Sequence, residues 1–353
     1  MLVGQANRAR VGYSVAMIRR ALFAATCAAS LVASASAQEH VVVGTMQEVN
    51  NGALFMADAA GYFKAEGLDV EMKAYTTPQA VAEALAAGAL DFGLTEFSAE
   101  AFNLAGKGEI KAVAAQAREK KQTEGNEVLA ANAAYAAGMR KIEDLRNHSV
   151  GVTFLGSPYH YQVGEIARKK NFDVKSINVK AFHTLDGVAT ALTDGQIDAV
   201  IVPVTYARAL LVSGQGRLIA WCSEFDESQL GALFASSKAI AARRPVVEKF
   251  VHAYQRGASD YAAALTRHDR YTKRISDEKS RTAAMTIARY VYQGHPLGAA
   301  ATTVETAAYF IDPQARLDEA DIARQIAWFK SQGLVEQSVD PHQVVDLSFL
   351  AAR

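Results

Sequence analysis

Short runs of apolar or β-branched residues alternate along this chain with longer stretches in which apolar residues recur every three or four positions. The first pattern fits a buried strand and the second a helix lying on it. Val41-Val42-Val43 reads as the first strand. After the polar step Asn50-Asn51-Gly52, Leu54, Phe55, Ala59 and Phe63 share one helical face, which Gly67 ends. Residues 69–75 read as the next strand, Pro78 opens a helix reaching Gly88, and Asp91-Phe92-Gly93-Leu94 gives a third strand, with Ser98 placed to cap the following helix. A fourth strand covers residues 111–115.

From residue 118 to 125 the chain turns charged and polar, as a surface crossover would, and a second series begins. Its strands fit residues 149–153, 176–181 and 198–202, with helices starting near Pro158, Leu185 and Thr205. Residues 217–221 are expected to lead back towards the first half, after which helical patterns dominate over residues 246–264, 282–292 and 318–332. The alternation predicts an α/β chain of two lobes with helix-covered parallel sheets, joined by two crossovers. The expected division is residues 38–117 for the first part of lobe one, 118–219 for lobe two, and 220–353 for the completion of lobe one. Hinges are expected at residues 114–116 and 220–222.

The first 37 residues depart from this grammar. Arg19 and Arg20 precede an apolar stretch at 21–33 that closes on Ala35-Ser36-Ala37, the layout of an export signal cleaved after Ala37. Its 13 residues fall short of the roughly 20 that span a bilayer, which weighs against a retained anchor. Met17 stands just before the arginines, so residues 1–16 also read as an extension ahead of an alternative start. Cys27 lacks the Leu-Ala-Gly pattern of lipid attachment. Cys222 is then the sole cysteine of the mature chain, which therefore has no internal disulfide. Removing four arginines from 37 basic residues leaves 33 against 37 acidic ones, with no basic surplus for a nucleic-acid partner. The remaining 316 residues, 353 minus 37, suffice for two ordinary domains.

Several segments resemble one family. Ala60-Gly61-Tyr62-Phe63-Lys64-Ala65-Glu66-Gly67-Leu68-Asp69-Val70 is similar to the helix-to-strand joint of the periplasmic binding proteins of nitrate, sulfonate and taurine importers, grouped with the thiamine-pyrimidine-precursor binding proteins. Leu85-Ala86-Ala87-Gly88-Ala89-Leu90-Asp91-Phe92-Gly93 and Leu192-Thr193-Asp194-Gly195-Gln196-Ile197-Asp198-Ala199 resemble its paired helix–glycine–Asp–strand joints, one per lobe. Gln325-Ile326-Ala327-Trp328-Phe329-Lys330, Val339-Asp340-Pro341 and Val345-Asp346-Leu347-Ser348-Phe349-Leu350 resemble its tail. The resemblance implies a type II periplasmic-binding-protein fold, a periplasmic location, an ABC permease and its ATPase as partners, a monomer, and neither cofactor nor catalysis. Its ligands span sulfonates, aromatic carboxylates and aminopyrimidines.

In open α/β sheets ligands bind beyond the carboxyl ends of strands, so four turns should meet in a cleft. The first offers Gln47, Glu48, Asn50 and Asn51, although either asparagine equally suits a helix cap. The second is Thr95-Glu96-Phe97-Ser98, where Ser98 reads as cap or contact. The third holds Gly156, Ser157 and Tyr159, and the fourth Thr205 and Tyr206, the tyrosine being either a ring contact or core. His183 follows a strand and can reach the cleft or serve the structure. No arginine occurs in these turns, and Glu96 would oppose a sulfonate. The expected ligand is therefore aminated or aromatic, with Glu96 accepting its hydrogen bonds and Tyr159, Phe97 or Tyr206 supplying rings. The opposite reading turns Glu96 outward and leaves Thr95, Ser98, Ser157 and helix N-termini to hold a sulfonate-like anion.

Other functions find less support in the residues. The enzymes of this group that make the thiamine pyrimidine carry a cysteine-rich motif, absent here. Gly156-Ser157 with His160 lacks the flanking glycines of a nucleophile elbow, and His252, His268, His295 and His342 are scattered without metal-ligand spacing. An exported sensor presenting its ligand to a receptor remains the alternative to an importer component.

Overall fold

The computed structural model describes residues 38–121 and 123–350. The expected export signal, its cleavage after Ala37 and Cys27 lie outside the described residues. Strand β1 (Glu39–Thr45) leads through a 3-10 turn at Val49–Asn51 into α1 (Gly52–Ala59). Then follow α2 (Tyr62–Ala65), β2 (Leu68–Ala74), α3 (Pro78–Ala86), β3 (Phe92–Glu96), α4 (Ala99–Gly106) and β4 (Ile110–Ala115). The short β5 (Ala117–Arg118) starts the first crossover. The second series is β6 (Asn126–Ala130), α5 (Asn132–Ala136), β7 (Ser149–Val152), α6 (Pro158–Lys169), β8 (Asn178–Ala181), α7 (Leu185–Thr193), β9 (Ala199–Pro203), α8 (Val204–Val212) and β10 (Arg217–Trp221). The chain returns through β11 (Gly231–Ser236) and ends in α9 (Ser237–Ala242), α10 (Arg244–Leu265), α11 (Glu278–Val291), α12 (Leu297–Thr306), β12 (Phe310–Ile311), α13 (Glu319–Ser331) and α14 (Pro341–Val344).

Two five-stranded sheets share one design. The first runs β2-β1-β3-β11-β4 and the second β8-β7-β9-β6-β10. In each, three strands are parallel, and the fourth, β11 or β6, is antiparallel to both of its neighbours. Each antiparallel strand lies just beyond a crossover, so the halves of the chain are tied to each other twice. Residues 217–221 do not lead back to the first lobe as expected. They form the edge of the second sheet, Leu218 facing Leu129, and the return begins after Trp221.

The two glycine–Asp joints perform the same task in each lobe. Gly88 and Gly195 take positive φ angles of 77° and 71°, which end α3 and α7. The aspartate that follows then ties the incoming strand to its parallel neighbour, β1 in one sheet and β7 in the other. Asp91 Oδ2 accepts the Val42 amide at 3.0 Å, and Asp198 Oδ2 accepts the Ser149 amide at 2.8 Å. In the first lobe Phe63 and Phe92 both stack on Phe250 of α10, with ring centroids 4.7 and 3.9 Å away. Tyr62 also reaches that helix, donating its hydroxyl to Asp260 and stacking under Arg256. No helix among the described residues is long and apolar enough to cross a membrane.

Candidate functional site

A cavity of about 650 Å³ lies between the lobes, beyond the carboxyl ends of β1, β2 and β3 on one side and β7, β8 and β9 on the other. Parallel strands of one sheet all end on the same side, so the residues that follow them gather there. The first lobe contributes residues 46–50, Tyr75-Thr76-Thr77-Pro78 and Glu96, and the second contributes Thr153, Phe154, Tyr159, residues 183–186, Pro203, Thr205, Tyr206 and Ala209. Val291, Tyr292 and Tyr309 from the C-terminal part complete the wall.

Of the expected residues, Gln47, Glu48, Asn50, Glu96, Tyr159, His183, Thr205 and Tyr206 line this cavity. Asn51, Thr95, Phe97, Ser98, Gly156 and Ser157 do not, and each has another duty. Asn51 donates to the Met46 carbonyl at 2.8 Å and accepts from Gln116, fastening the first turn to the crossover. Thr95 points to the opposite face of β3, where its hydroxyl donates to the Pro78 carbonyl. Phe97 is buried against Phe102 and Phe234. Ser98 and Ser157 are helix caps, accepting the amides of Ala101 and His160 at 3.2 Å each. Gly156, with φ of 94°, offers its carbonyl to the Ala99 amide at 2.9 Å, one of the contacts between the lobes. Tyr75, Thr77, Asp186, Tyr292 and Tyr309 were not anticipated. The strand-end rule already pointed to the first three, because they follow β2 and β8. Nothing in the local pattern marked Tyr292, which follows α11, or Tyr309, which precedes β12.

The polar chemistry of the first-lobe wall centres on two carboxylates. Asn50 Nδ2 donates to Glu48 Oε2 at 3.3 Å and to Glu96 Oε1 at 3.4 Å, so one amide bridges both. Burial pushes the Glu48 carboxyl above its ordinary range, an effect the Asn50 hydrogen bond partly offsets. Burial, and then repulsion from Glu48, pushes Glu96 well above its range. Asn50 Oδ1 and Thr153 Oγ1 are buried without a partner. The phenols of Tyr159 and Tyr309 are held far above their usual pKa, first by burial and then by nearby carboxylates, so both remain protonated donors. Tyr206 is raised by burial and by Asp186, with which its hydroxyl pairs. Neither lysine nor arginine is among the described residues that line the cavity.

Beside the cavity, His160 and Tyr161 of α6 meet Trp328 of α13 edge-on, at centroid distances of 4.9 and 5.6 Å. His160 accepts the Gly156 amide on Nδ1, and burial lowers its pKa to about 4, which keeps the ring neutral. The only cysteine of the described residues, Cys222, is buried in the second-lobe core. No cluster of three metal-ligating side chains occurs among the described residues.

The architecture has many solved counterparts. The chain is similar to the alkanesulfonate-binding protein SsuA from Xanthomonas axonopodis pv. citri bound to MOPS, at 17% identity and a TM-score of 0.67 over 89% of this chain and all 100% of that one. A protein of Bordetella bronchiseptica RB50 is 21% identical, with a TM-score of 0.63 over 88% of this chain and 95% of its own. The desulfurization enzyme DSZB shares the fold at 14% identity, with a TM-score of 0.57 over 88% and 97% of the two chains. No curated protein matches the sequence. Two βα lobes that exchange a strand and face each other across a cavity at their strand ends define the periplasmic-binding-protein fold. Within it, this chain belongs to the NMT1/THI5-like family, whose model matches residues 48–264.

Proposed function

We propose that the protein is the periplasmic solute-binding component of an ABC importer, a monomer that captures a small amino-bearing or aromatic molecule and delivers it to a permease and its ATPase. The observation that carries this reading is the cavity itself, walled by both lobes, so that a bound molecule makes contacts in the closed arrangement that an open one lacks. The structural likeness to sulfonate-binding proteins supports the role, and the family match supports a small organic ligand. Export depends on the signal read over residues 1–37. Movement about the two crossovers, between β4 and β6 and between β10 and β11, closes the cleft; residues 114–115 and 220–221, expected as hinges, are instead held in β4 and β10.

The contacts assigned to the ligand are Gln47, Glu48, Asn50, Glu96, Tyr159, His183, Thr205 and Tyr206, with Glu96 accepting hydrogen bonds and the tyrosines supplying rings. Catalysis is no part of this reading. Ser157 is committed to a helix cap, His160 to the Gly156 amide, and Cys222 lies in the core away from the cavity. A thermal-shift screen of residues 38–353 against sulfonates, aromatic carboxylates, aminopyrimidines and amines tests the proposal. A true ligand at about 100 times its Kd adds roughly 2.7 kcal/mol and compacts the protein in solution scattering. Turnover of a stabilising compound, or no stabilisation by any small solute, would overturn it.

A further inference from the structure

Charge is distributed unevenly around the cavity. Glu48 and Glu96 enter it from the ends of two different strands, and the only side-chain amide between them, Asn50, spends its donor nitrogen on both. This leaves Asn50 Oδ1, on a residue only 5% exposed, without a partner on the cavity wall. Across the cavity Thr153 Oγ1, on a residue 7% exposed, is likewise unpartnered. Two carboxyl groups and two unpartnered oxygens therefore line a cavity where no lysine or arginine answers them, and Asp186 adds a further acid. Buried acceptors without donors are costly, and like charges in a dry site are costlier.

Several of the hydroxyls and helix ends that would hold an anion are turned elsewhere, although α8 begins at the cavity without a side-chain cap. Thr95, Ser98 and Ser157 have their hydroxyls engaged outside the cavity. Helices α3 and α7 do begin at its rim, but Thr77 and Thr184 already take the amides of Ala80 and Gly187 there. The phenol rings of Tyr159, Tyr292 and Tyr309 add π faces suited to positive charge.

Building on the solute-binding reading above, we propose that the ligand is an organic cation, a protonated amine or amidine whose positive nitrogen sits between Glu48 and Glu96 and donates to the free oxygens of Asn50 and Thr153. A cation in that position relieves the repulsion between the carboxylates and gives the unpartnered oxygens of Asn50 and Thr153 a donor.

The test compares probes of similar shape and different charge by calorimetry and thermal shift at pH 7.5. Benzamidinium, 4-aminopyridinium and cadaverine are the cations, benzamide and benzyl alcohol the neutral probes, benzoate and benzenesulfonate the anions. At least one cation should bind and stabilise the wild type more than every neutral or anionic probe. Its affinity should fall roughly tenfold or more in Glu96→Gln and in Glu48→Gln, while both variants keep the wild-type fold by circular dichroism. Preference for a neutral or anionic probe, or cation binding that survives the double variant, overturns the cation assignment and leaves solute binding standing. Silence from all seven probes and from the wider solute screen overturns both.

Discussion

At the scale of single residues, the informative feature is that this protein buries carboxyl groups without cations. Glu96 is 5% exposed and accepts one long hydrogen bond from Asn50. Its pKa is raised above the value of the unfolded chain, so the folded state binds the proton more tightly. Stability is then fully present below the unfolded pKa near 4.5 and is lost as pH rises towards the folded value. Replacing the group with a neutral isostere removes that loss. Glu96→Gln is expected to stabilise the empty protein more at pH 8 than at pH 5, read from urea unfolding at both values. An equal gain at the two pH values would show that the carboxyl is solvated and that its burial is not what governs it. Sequence reasoning found Glu96 because a charged residue at a strand end has few structural reasons to be there. It left Ser98 open between cap and contact and took Ser157 as a contact, because a hydroxyl before a helix serves both with the same local pattern, and only the fold decides between them. Phe97 went the same way. Alternation along β3 sends Thr95 and Phe97 to the face opposite Glu96, a consequence of period two that the turn-based reading overlooked.

At the scale of elements, the parallel strands and most of the helices between them were legible, whereas β6, β11 and the helices α5, α9 and α12 were not. Both missed strands are buried on both faces, so Asn126–Ala130 and Gly231–Ser236 show no alternation, and they stand outside the strand–helix rhythm because they belong to the exchange between lobes. The crossover before β6 carries its own electrostatic signature. Glu119 is 1% exposed, and its Oε1 accepts the Asn126 amide at 2.8 Å and Gln162 Nε2 at 3.1 Å, while Oε2 has no partner. Burial raises its pKa from the ordinary 4.5 to about 8 against those two hydrogen bonds. The sign is again that of a raised acid. Stability declines as pH rises from about 4.5 through 8, by on the order of a few kcal/mol in all. Glu119→Gln keeps an acceptor for both donors, so it should flatten the fall in unfolding free energy between pH 5.5 and 8. Glu127, raised to about 7 mainly by burial, leaves a remainder of the same sign. His160 opposes both, but only below 6.5, where its lowered pKa makes the folded state lose stability as pH falls towards 4. A wild-type profile that is flat from pH 5.5 to 8 would mean that Glu119 reaches water through the crossover.

At the scale of the whole molecule, two lobes of matching topology were foreseen, but not how tightly they would touch. That contact depends on small residues whose meaning appears only when the two halves are assembled. Gly164 of α6 lies under Trp328 of α13, where an added Cβ would come within 2.3 Å of the indole, closer than any real contact. Helix α13 itself belongs to the first lobe, with Ile322, Ile326 and Phe329 in the core that also holds Phe102 of α4. An added Cβ on Gly156 would similarly stand 2.9 Å from the Ala99 Cβ on the same side of the cleft. Interiors packed at this density do not yield by ångströms, so a bulky side chain at either place must separate the surfaces. If ligand binding draws the lobes together, such a wedge penalises the closed arrangement more than the open one, even though Tyr161 of α6 shares the core of α13. Gly164→Leu is therefore expected to enlarge the radius of gyration in solution scattering. It should also weaken binding of any stabilising solute roughly tenfold or more, with little loss of helix by circular dichroism. Gly298→Ala is the matched control, since nothing lies within 4 Å of its new Cβ. Should Gly164→Leu bind its ligand as the wild type does while remaining compact, the α6–α13 seam is not a surface that opens, and closure must turn about a different contact.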